Sequence, residues 1–245
     1  MRPQSGLKFC AIVAAGGRGE RFGQSKQLIE VAGRPLVAWC LETFSQMAEL
    51  GGMVIATEPE HAERMQSLAD RFAPQLATRV VSAGATRQGS VRNALAAAPV
   101  ECDGVFVHDG ARPLVTVRDV RAGMALVSAN VAAVLAAPVI DTIKLVKTAD
   151  REPLIVSQTL DRRELWAAQT PQFATTADLR AGHAAAERDG VDVTDDVALL
   201  ERLGMTVVVV PATTENFKVT LPRDRERAEG ILRDRLRGAE SMAPS

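Results

Sequence analysis

The sequence contains no tyrosine, and aromatic residues make up 4% of its 245 positions. A Tyr–Lys proton relay, the device expected of a nicotinamide-dependent reductase, is therefore absent. There are three cysteines, Cys10, Cys40 and Cys102, an odd number with no paired metal spacing. Each lies in or near an apolar stretch and reads as a small core residue in a reducing compartment. His61, His108 and His183 are scattered, and no two form a metal-ligand pair, which argues against a zinc hydrolase. No Ser/His or Cys/His set suggests a side-chain nucleophile. Neither sign of charge dominates: 29 Lys and Arg face 30 Asp and Glu, a net charge of -1. That argues against a general nucleic-acid or membrane-surface binder but leaves room for a local basic pocket. The longest apolar run, "VAAVLAAPVI" from Val131, falls well short of the ~20 residues that span a bilayer. The start, "MRPQSGLKF", has no signal-peptide core, so a cytoplasmic protein is expected.

What is present is a regular alternation. Short apolar runs ("FCAIVAA", "GMVIAT", "TRVVSAG", "GVFVHDG", "VAAVLAAPV", "GMTVVVVPA") read as strands buried on both faces. Between or after them lie helix candidates at Pro35–Met47, Glu58–Phe72, Arg87–Ala98, Val117–Ser128, Thr176–Arg188, Asp195–Leu203 and Pro222–Arg237. The order predicts a single α/β domain over 1–245, Rossmann-like, with a mostly parallel twisted sheet and helices on both faces. The regularity breaks after Ile140. "DTIKLVKTADREPLIVSQTLDRRELW" reads as two extended segments joined by a polar turn, a β-hairpin arm at about 139–163 inserted in the domain. Ile143 and Ile155 then lie outside the main core, and such an arm calls for a partner, so a homodimer is expected.

The stretch "AAGGRGERFGQSKQL", Ala14 to Leu28, follows the first strand. Bare backbone there lets N–H groups approach phosphates, and Arg21 and Lys26 add two cations suited to a charged phosphoryl transition state. It is not a P-loop, since no Gly-Lys-Ser/Thr follows. It is a poor dinucleotide fingerprint, since Gly17 and Gly19 are followed by Phe22 where a third glycine belongs. In "AGATRQGSVRNAL", Gly84 follows a strand and Arg87 and Ser90 lie where a helix begins, a place from which backbone and hydroxyl groups can read a base edge. In "VHDGARP", Asp109 stands at the C-terminal end of an apolar strand, where open α/β sheets bind ligands. An acid there can hold a divalent cation, with Arg112 as counter-charge, while His108 reads as a packed strand residue. Later stretches supply Thr142, Lys144, Arg162, Thr170 and Lys218, the last interrupting a buried-looking segment.

Together the ordered stretches "AAGGRGERFG", Lys26-Gln27, "GATRQGSV", "VHDGARP", "PVIDTIK", "TLDRRELW", "QTPQ", "VTDD" and "NFKVT" resemble the 2-C-methyl-D-erythritol 4-phosphate cytidylyltransferase family, over roughly Phe9 to Leu232. The resemblance implies a nucleotidyltransferase-type α/β fold and an arm-exchanged homodimer. It implies cytidylyl transfer from CTP to methylerythritol phosphate with Mg²⁺, giving the CDP-linked alcohol and pyrophosphate for non-mevalonate isoprenoid synthesis. By position, Ala14, Ala15, Gly16, Gly17, Gly19, Gly84, Arg87, Ser90 and Ala111 would hold the nucleotide. Arg21 and Lys26 would stabilise the transition state, Asp109 would join substrate and metal, and Arg162 and Lys218 would position the acceptor. Arg112, Thr142, Thr170 and Thr194 would assist, with Thr142 and Arg162 coming from the partner's arm. The chain departs from the family pattern in a loop one residue longer, which leaves Gly16 or Gly17 to face the phosphates. It also has Ser25 in place of proline and Gly110 in place of alanine. Three other readings are a cytidylyltransferase for ribitol 5-phosphate or another polyol phosphate, a nicotinamide-dependent reductase, and a non-catalytic nucleotide-binding regulator. The acceptor-side cations Arg162 and Lys218 count against the last.

Overall fold

A computed structural model describes residues 6–16, 25–147 and 154–241. Strand β1 (Phe9–Ala14) shows how the apolar runs fold. Phe9, Ala11 and Val13 enter one hydrophobic cluster, and Cys10 and Ile12 the other, because successive side chains of a strand point to opposite faces. A run apolar at every position thus serves two cores. On the first face lie α1 (Leu36–Ser45), α2 (Ala62–Phe72) and α4 (Val117–Met124), contributing Phe44, Met65 and Val120. On the second lie α3 (Arg87–Ala96), α5 (Thr176–Asp189) and α6 (Val197–Glu201), contributing Val91, Leu179 and Leu200.

The remaining main-sheet strands are β4 (Leu50–Thr57), β5 (Thr78–Ser82), β6 (Gly104–Asp109), β7 (Val131–Pro138), β10 (Trp166–Thr175) and β11 (Thr206–Pro211). The seven run in the order β11-β7-β10-β6-β1-β4-β5. All neighbours are parallel except at β10, which is antiparallel to both β6 and β7. From β1 the chain steps to β4 and β5, then returns to β1's other side as β6. That reversal opens a crevice between the C-terminal ends of β1 and β6, the usual ligand position in such sheets. In register, Ala14 faces Asp109 there.

Strand β10 is not expected from the sequence, where "WAAQTPQFAT" carries two glutamines and a proline. Its pairing with β7 explains them: Ala168 faces Ala136 and Gln172 faces Val134, so four steps on β10 match two on β7. Gln169 to Pro171 oppose Leu135 alone and leave the ladder, and Pro171 needs no N–H partner there. Strands β5 and β11 lie at the sheet edges and are only partly buried, unlike the two-sided burial expected for their runs. The "NFKVT" segment forms no strand and leads into α7 (Pro222–Ser241). Helix α7 packs with a small hairpin, β2 (Glu30–Val31) and β3 (Arg34–Pro35), through Val31, Leu36, Trp39, Leu114, Val219 and Leu232. The arm consists of β8 (Lys144–Lys147) and β9 (Ile155–Thr159), an antiparallel pair separate from the main sheet. Ile155 is 62% exposed and Leu154 61% exposed, as expected of an arm outside the core. The three cysteines are buried and free. No described helix is long and apolar enough to cross a membrane.

Candidate active site

Asp109 closes β6 with its side chain 9% exposed, and cations surround it. Arg87 Nε donates to Oδ1 at 3.0 Å, and Lys218 Nζ lies 2.8 Å from Oδ2. Arg112, the counter-charge expected from its nearness in sequence, is the more distant partner, with Nε 3.8 Å from Oδ2. Its Nη1 instead donates to the carbonyl of Asn216 at 2.7 Å. Burial alone would raise the Asp109 pKa, but Arg87, Lys218 and Arg112 overcome it and hold the carboxyl well below the usual range.

Each cation arrives for a local reason. Thr86 caps α3 by accepting the Gly89 N–H, which starts the helix at Arg87 beside the end of β6. The Val219 N–H donates to the Ala111 carbonyl at 2.9 Å, and this backbone bond seats Lys218 against Asp109. Arg87 also donates through Nη2 to Asp196 Oδ2 at 2.7 Å, so it links two buried carboxylates. Burial pushes the Asp196 carboxyl up, opposed by Arg87. Arg87 is itself pushed up, against its own burial, by Asp196 and Asp109. Gln172 fixes Asp196 by accepting the N–H groups of Asp196 and Val197.

A cavity of about 160 Å³ opens on this cluster, lined among others by Asp109, Arg112, Gln169, Thr170, Thr194 and Lys218. On the β1 side, the Ala15 N–H donates to Ala56 O at 2.8 Å. Gln27 Nε2 approaches the Gly16 carbonyl at 3.5 Å, and Lys26 opens the short turn Lys26–Leu28 that carries Gln27. Ser25 donates to Gln27 Oε1 at 3.1 Å, so the serine supports the same turn. Ser90 Oγ accepts the Gly84 N–H at 3.0 Å and donates to Thr86 O at 2.9 Å. A Cβ on Gly16 would stand 2.6 Å from the Ala83 Cβ. The loops after β1 and β5 therefore meet only because position 16 is glycine.

The structure thus brings together Ala14, Gly16, Gly84 and Ser90 on one side of the crevice, and Arg87, Asp109, Arg112, Thr170, Thr194 and Lys218 on the other. Ala111 serves through its carbonyl rather than a free surface. Thr142 and Arg162 stand apart on the arm. Both are exposed, and Arg162 Nη1 donates to the Ile140 carbonyl at 2.6 Å. Gly17, Gly19 and Arg21 lie outside the described residues.

The model of the 2-C-methyl-D-erythritol 4-phosphate cytidylyltransferase family matches residues 9–234. The chain belongs to this family. It is 39% identical over 234 residues to the cytidylyltransferase of that name from Halalkalibacterium halodurans, covering 94% of this chain and 100% of the relative. It is 41% identical to the one from Gloeobacter violaceus, covering 92% and 97%. Among solved structures, 4-diphosphocytidyl-2C-methyl-D-erythritol synthase from Anaerococcus prevotii superposes with a TM-score of 0.82 at 25% identity, over 94% of this chain and 100% of that one. The Thermus thermophilus cytidylyltransferase gives 0.71 at 32%, over 91% and 98%. The cytidylyltransferase family assignment makes the chain a nucleotidyltransferase enzyme of isoprenoid biosynthesis, and its activity implies CTP as co-substrate.

Sequence reasoning missed four residues of this candidate site: Gln169, Gln172, Asp196 and Asn216. "VTDD" and "NFKVT" held a signal, an acid pair before a helix and an amide two residues before Lys218, but not the long-range partners. Gly84 offers a test of the loop after β5. An alanine Cβ there would stand 2.6 Å from the carbonyl carbon of Gly89. Gly84→Ala is expected to cost about 1–3 kcal/mol by overpacking and to weaken CTP binding, read by thermal denaturation and calorimetric titration. Unchanged CTP affinity would remove this loop from the nucleotide site.

Proposed function

We propose that Asp109 and its cations join nucleotide and acceptor as the chain transfers the cytidylyl group of CTP to the phosphate of methylerythritol phosphate. An acceptor phosphate oxygen attacks the α-phosphorus, the new P–O bond forms, and the bond to the β-phosphate oxygen breaks to release pyrophosphate. The observation that carries this is the placement of Asp109, between Arg87 and Lys218, facing Ala14 across the β1–β6 crevice. Two unit anions 4 Å apart repel by about 4 kcal/mol at an effective dielectric of 20. Fixed cations must offset that, and no side-chain nucleophile is needed. Lys26 and Arg21 act at the α-phosphate, and Lys218 with Arg112 orients the acceptor phosphate. Thr170 and Thr194 meet its polyol. The backbone of Ala14, Ala15 and Gly16, with Gly84 and Ser90, holds the nucleotide.

Mg²⁺ fits the donor set. It usually takes one or two carboxylates together with substrate phosphates, and Asp109 offers a carboxylate at the phosphate crevice. The described residues contain no group of three or more His, Cys, Asp or Glu that would cage a metal alone. Bound there, the ion would neutralise phosphoryl charge. The exposed apolar residues of the arm, Leu145, Leu154, Ile155 and Val156, favour a homodimer. Exposure of Thr142 and Arg162 away from the cavity fits their use by a partner subunit.

The test is pyrophosphate release by the purified protein with Mg²⁺, for all four nucleoside triphosphates, each with methylerythritol phosphate or ribitol 5-phosphate. Release that requires CTP and methylerythritol phosphate is expected. Release with ribitol 5-phosphate alone would overturn the acceptor. Lys26→Ala should lower kcat about a hundredfold, as expected for removing one transition-state contact, with little change in melting temperature. Normal turnover would remove Lys26 from the mechanism.

A further inference from the structure

None of these roles uses His108, although it lies at the centre of the site. It is wholly buried in β6, with its ring edge-on to Phe44 at 5.3 Å between centroids. Nε2 lies 3.0 Å from the carbonyl oxygen of Arg112, and Nδ1 lies 3.1 Å from Thr170 Oγ1. A carbonyl oxygen can only accept, so Nε2 carries the proton. In the neutral ring Nδ1 is then an acceptor, and the Thr170 hydroxyl donates to it. The same hydroxyl oxygen accepts the Asp109 N–H at 3.0 Å. The chain of donation runs from the Asp109 backbone to Thr170 and on to His108 Nδ1, while Nε2–H holds the turn that carries Arg112.

We propose that His108 is a positioning residue that commits the Thr170 proton inward, so that Thr170 can only accept a hydrogen bond from a ligand in the cavity. A hydroxyl oxygen has two lone pairs. One takes the Asp109 N–H, and one is left for the ligand. Such a group receives a polyol hydroxyl and cannot hold a phosphate, whose oxygens are acceptors. It therefore sets the direction of the acceptor, with hydroxyls at Thr170 and phosphate toward Lys218 and Arg112. This rests on the acceptor assignment made above.

The ring is wholly buried, and its two nitrogens meet a carbonyl and a hydroxyl rather than a carboxylate, which favours the neutral form. Asp109 and Arg112 lie on its own segment. From α1 it meets Phe44, from β10 the uncharged Thr170, and in register from β1 Val13.

Nitrogen NMR of the imidazoles in the free protein tests the proton assignment, with the His108 signal identified by its loss in His108→Asn. A neutral Nε2–H tautomer at pH 7, with its Nδ1 shift moved by Thr170→Val, is expected. An Nδ1–H tautomer or a protonated ring at neutral pH would overturn the proposal, whatever reaction the protein runs. Kinetics test the consequence. Asparagine sets its oxygen near the place of Nδ1 and still accepts from Thr170. Glutamine sets its amide nitrogen near the place of Nε2 and keeps only the bond to Arg112. His108→Gln should raise the acceptor KM about tenfold, with the CTP KM unchanged, whereas His108→Asn stays within about threefold of the parent. Melting temperatures of the two variants separate this from unfolding. Adding His108→Gln to Thr170→Val should cost less than about twofold more, since one acts through the other. Equal losses in the Asn and Gln variants, or additive losses in the double variant, would overturn it. If the parent protein turns over no methylerythritol phosphate, the acceptor reading fails while the NMR result still decides the proton assignment.

Discussion

Replacing Asp109 with asparagine is expected to lower kcat about a thousandfold and the melting temperature by about 6 °C or more. The stability loss follows from what each cation has left. Breaking a buried ion pair costs about 3–5 kcal/mol when the remaining charge has no other partner. Arg87 retains Asp196, and Lys218, with a side chain 35% exposed, can recover water. Arg112, 12% exposed, is the stranded charge, so the lower end of that range applies. At about 2 °C per kcal/mol for a chain of this size, about 3 kcal/mol gives the stated shift. Its pH dependence has a definite sign. The folded Asp109 carboxyl is held well below the ~3.9 of an unfolded aspartate, so its contribution is full above pH ~4 and lost as pH falls. The gap between parent and variant should therefore be widest at neutral pH and close on acidification. A gap that widens in acid would contradict the charge assignment, and turnover within tenfold of the parent would remove Asp109 from the chemistry.

The same carboxylate marks how far the sequence could be read. An apolar run ending in an acid announced a strand and a polar residue at its C-terminal end, because burial on both faces leaves only the strand end polar. Its partners were not announced. Arg112 is near in sequence, but a turn carries its guanidinium toward Asn216. The close cations come from α3 and from the segment before α7, brought in by the cap at Thr86 and the backbone bond between Val219 and Ala111. Such long-range pairings leave no periodicity in one chain. Strand β10 was hidden for a related reason. The residues that disqualify it as a central strand, Gln169 to Pro171, have left the ladder, and Gln169 and Thr170 line the cavity, so the local pattern follows the cavity and conceals the sheet. The arm was legible because its alternation had no second apolar stretch to pack on.

That arm leads to the sharpest expectation about assembly. Arg162→Ala and Lys218→Ala should each be nearly inactive alone, and a mixture of the two should recover activity. If Arg162 serves the partner's cavity while Lys218 serves its own, a mixed dimer holds one site with both substitutions and one with neither. Random exchange at equal concentrations makes half the dimers mixed, and half of their sites are intact. The recovered activity is then about a quarter of the parent's for a two-fold symmetric dimer. Recovery should appear only after subunits exchange, and therefore with a lag if the two dimers are mixed already folded. Were each cavity completed by its own chain, every site in the mixture would lack one cation and no activity would return. That result would leave the charge cluster around Asp109 untouched. It would require the arm to fold back in solution so that Arg162, bonded here to the carbonyl of Ile140, could reach the cavity of its own subunit.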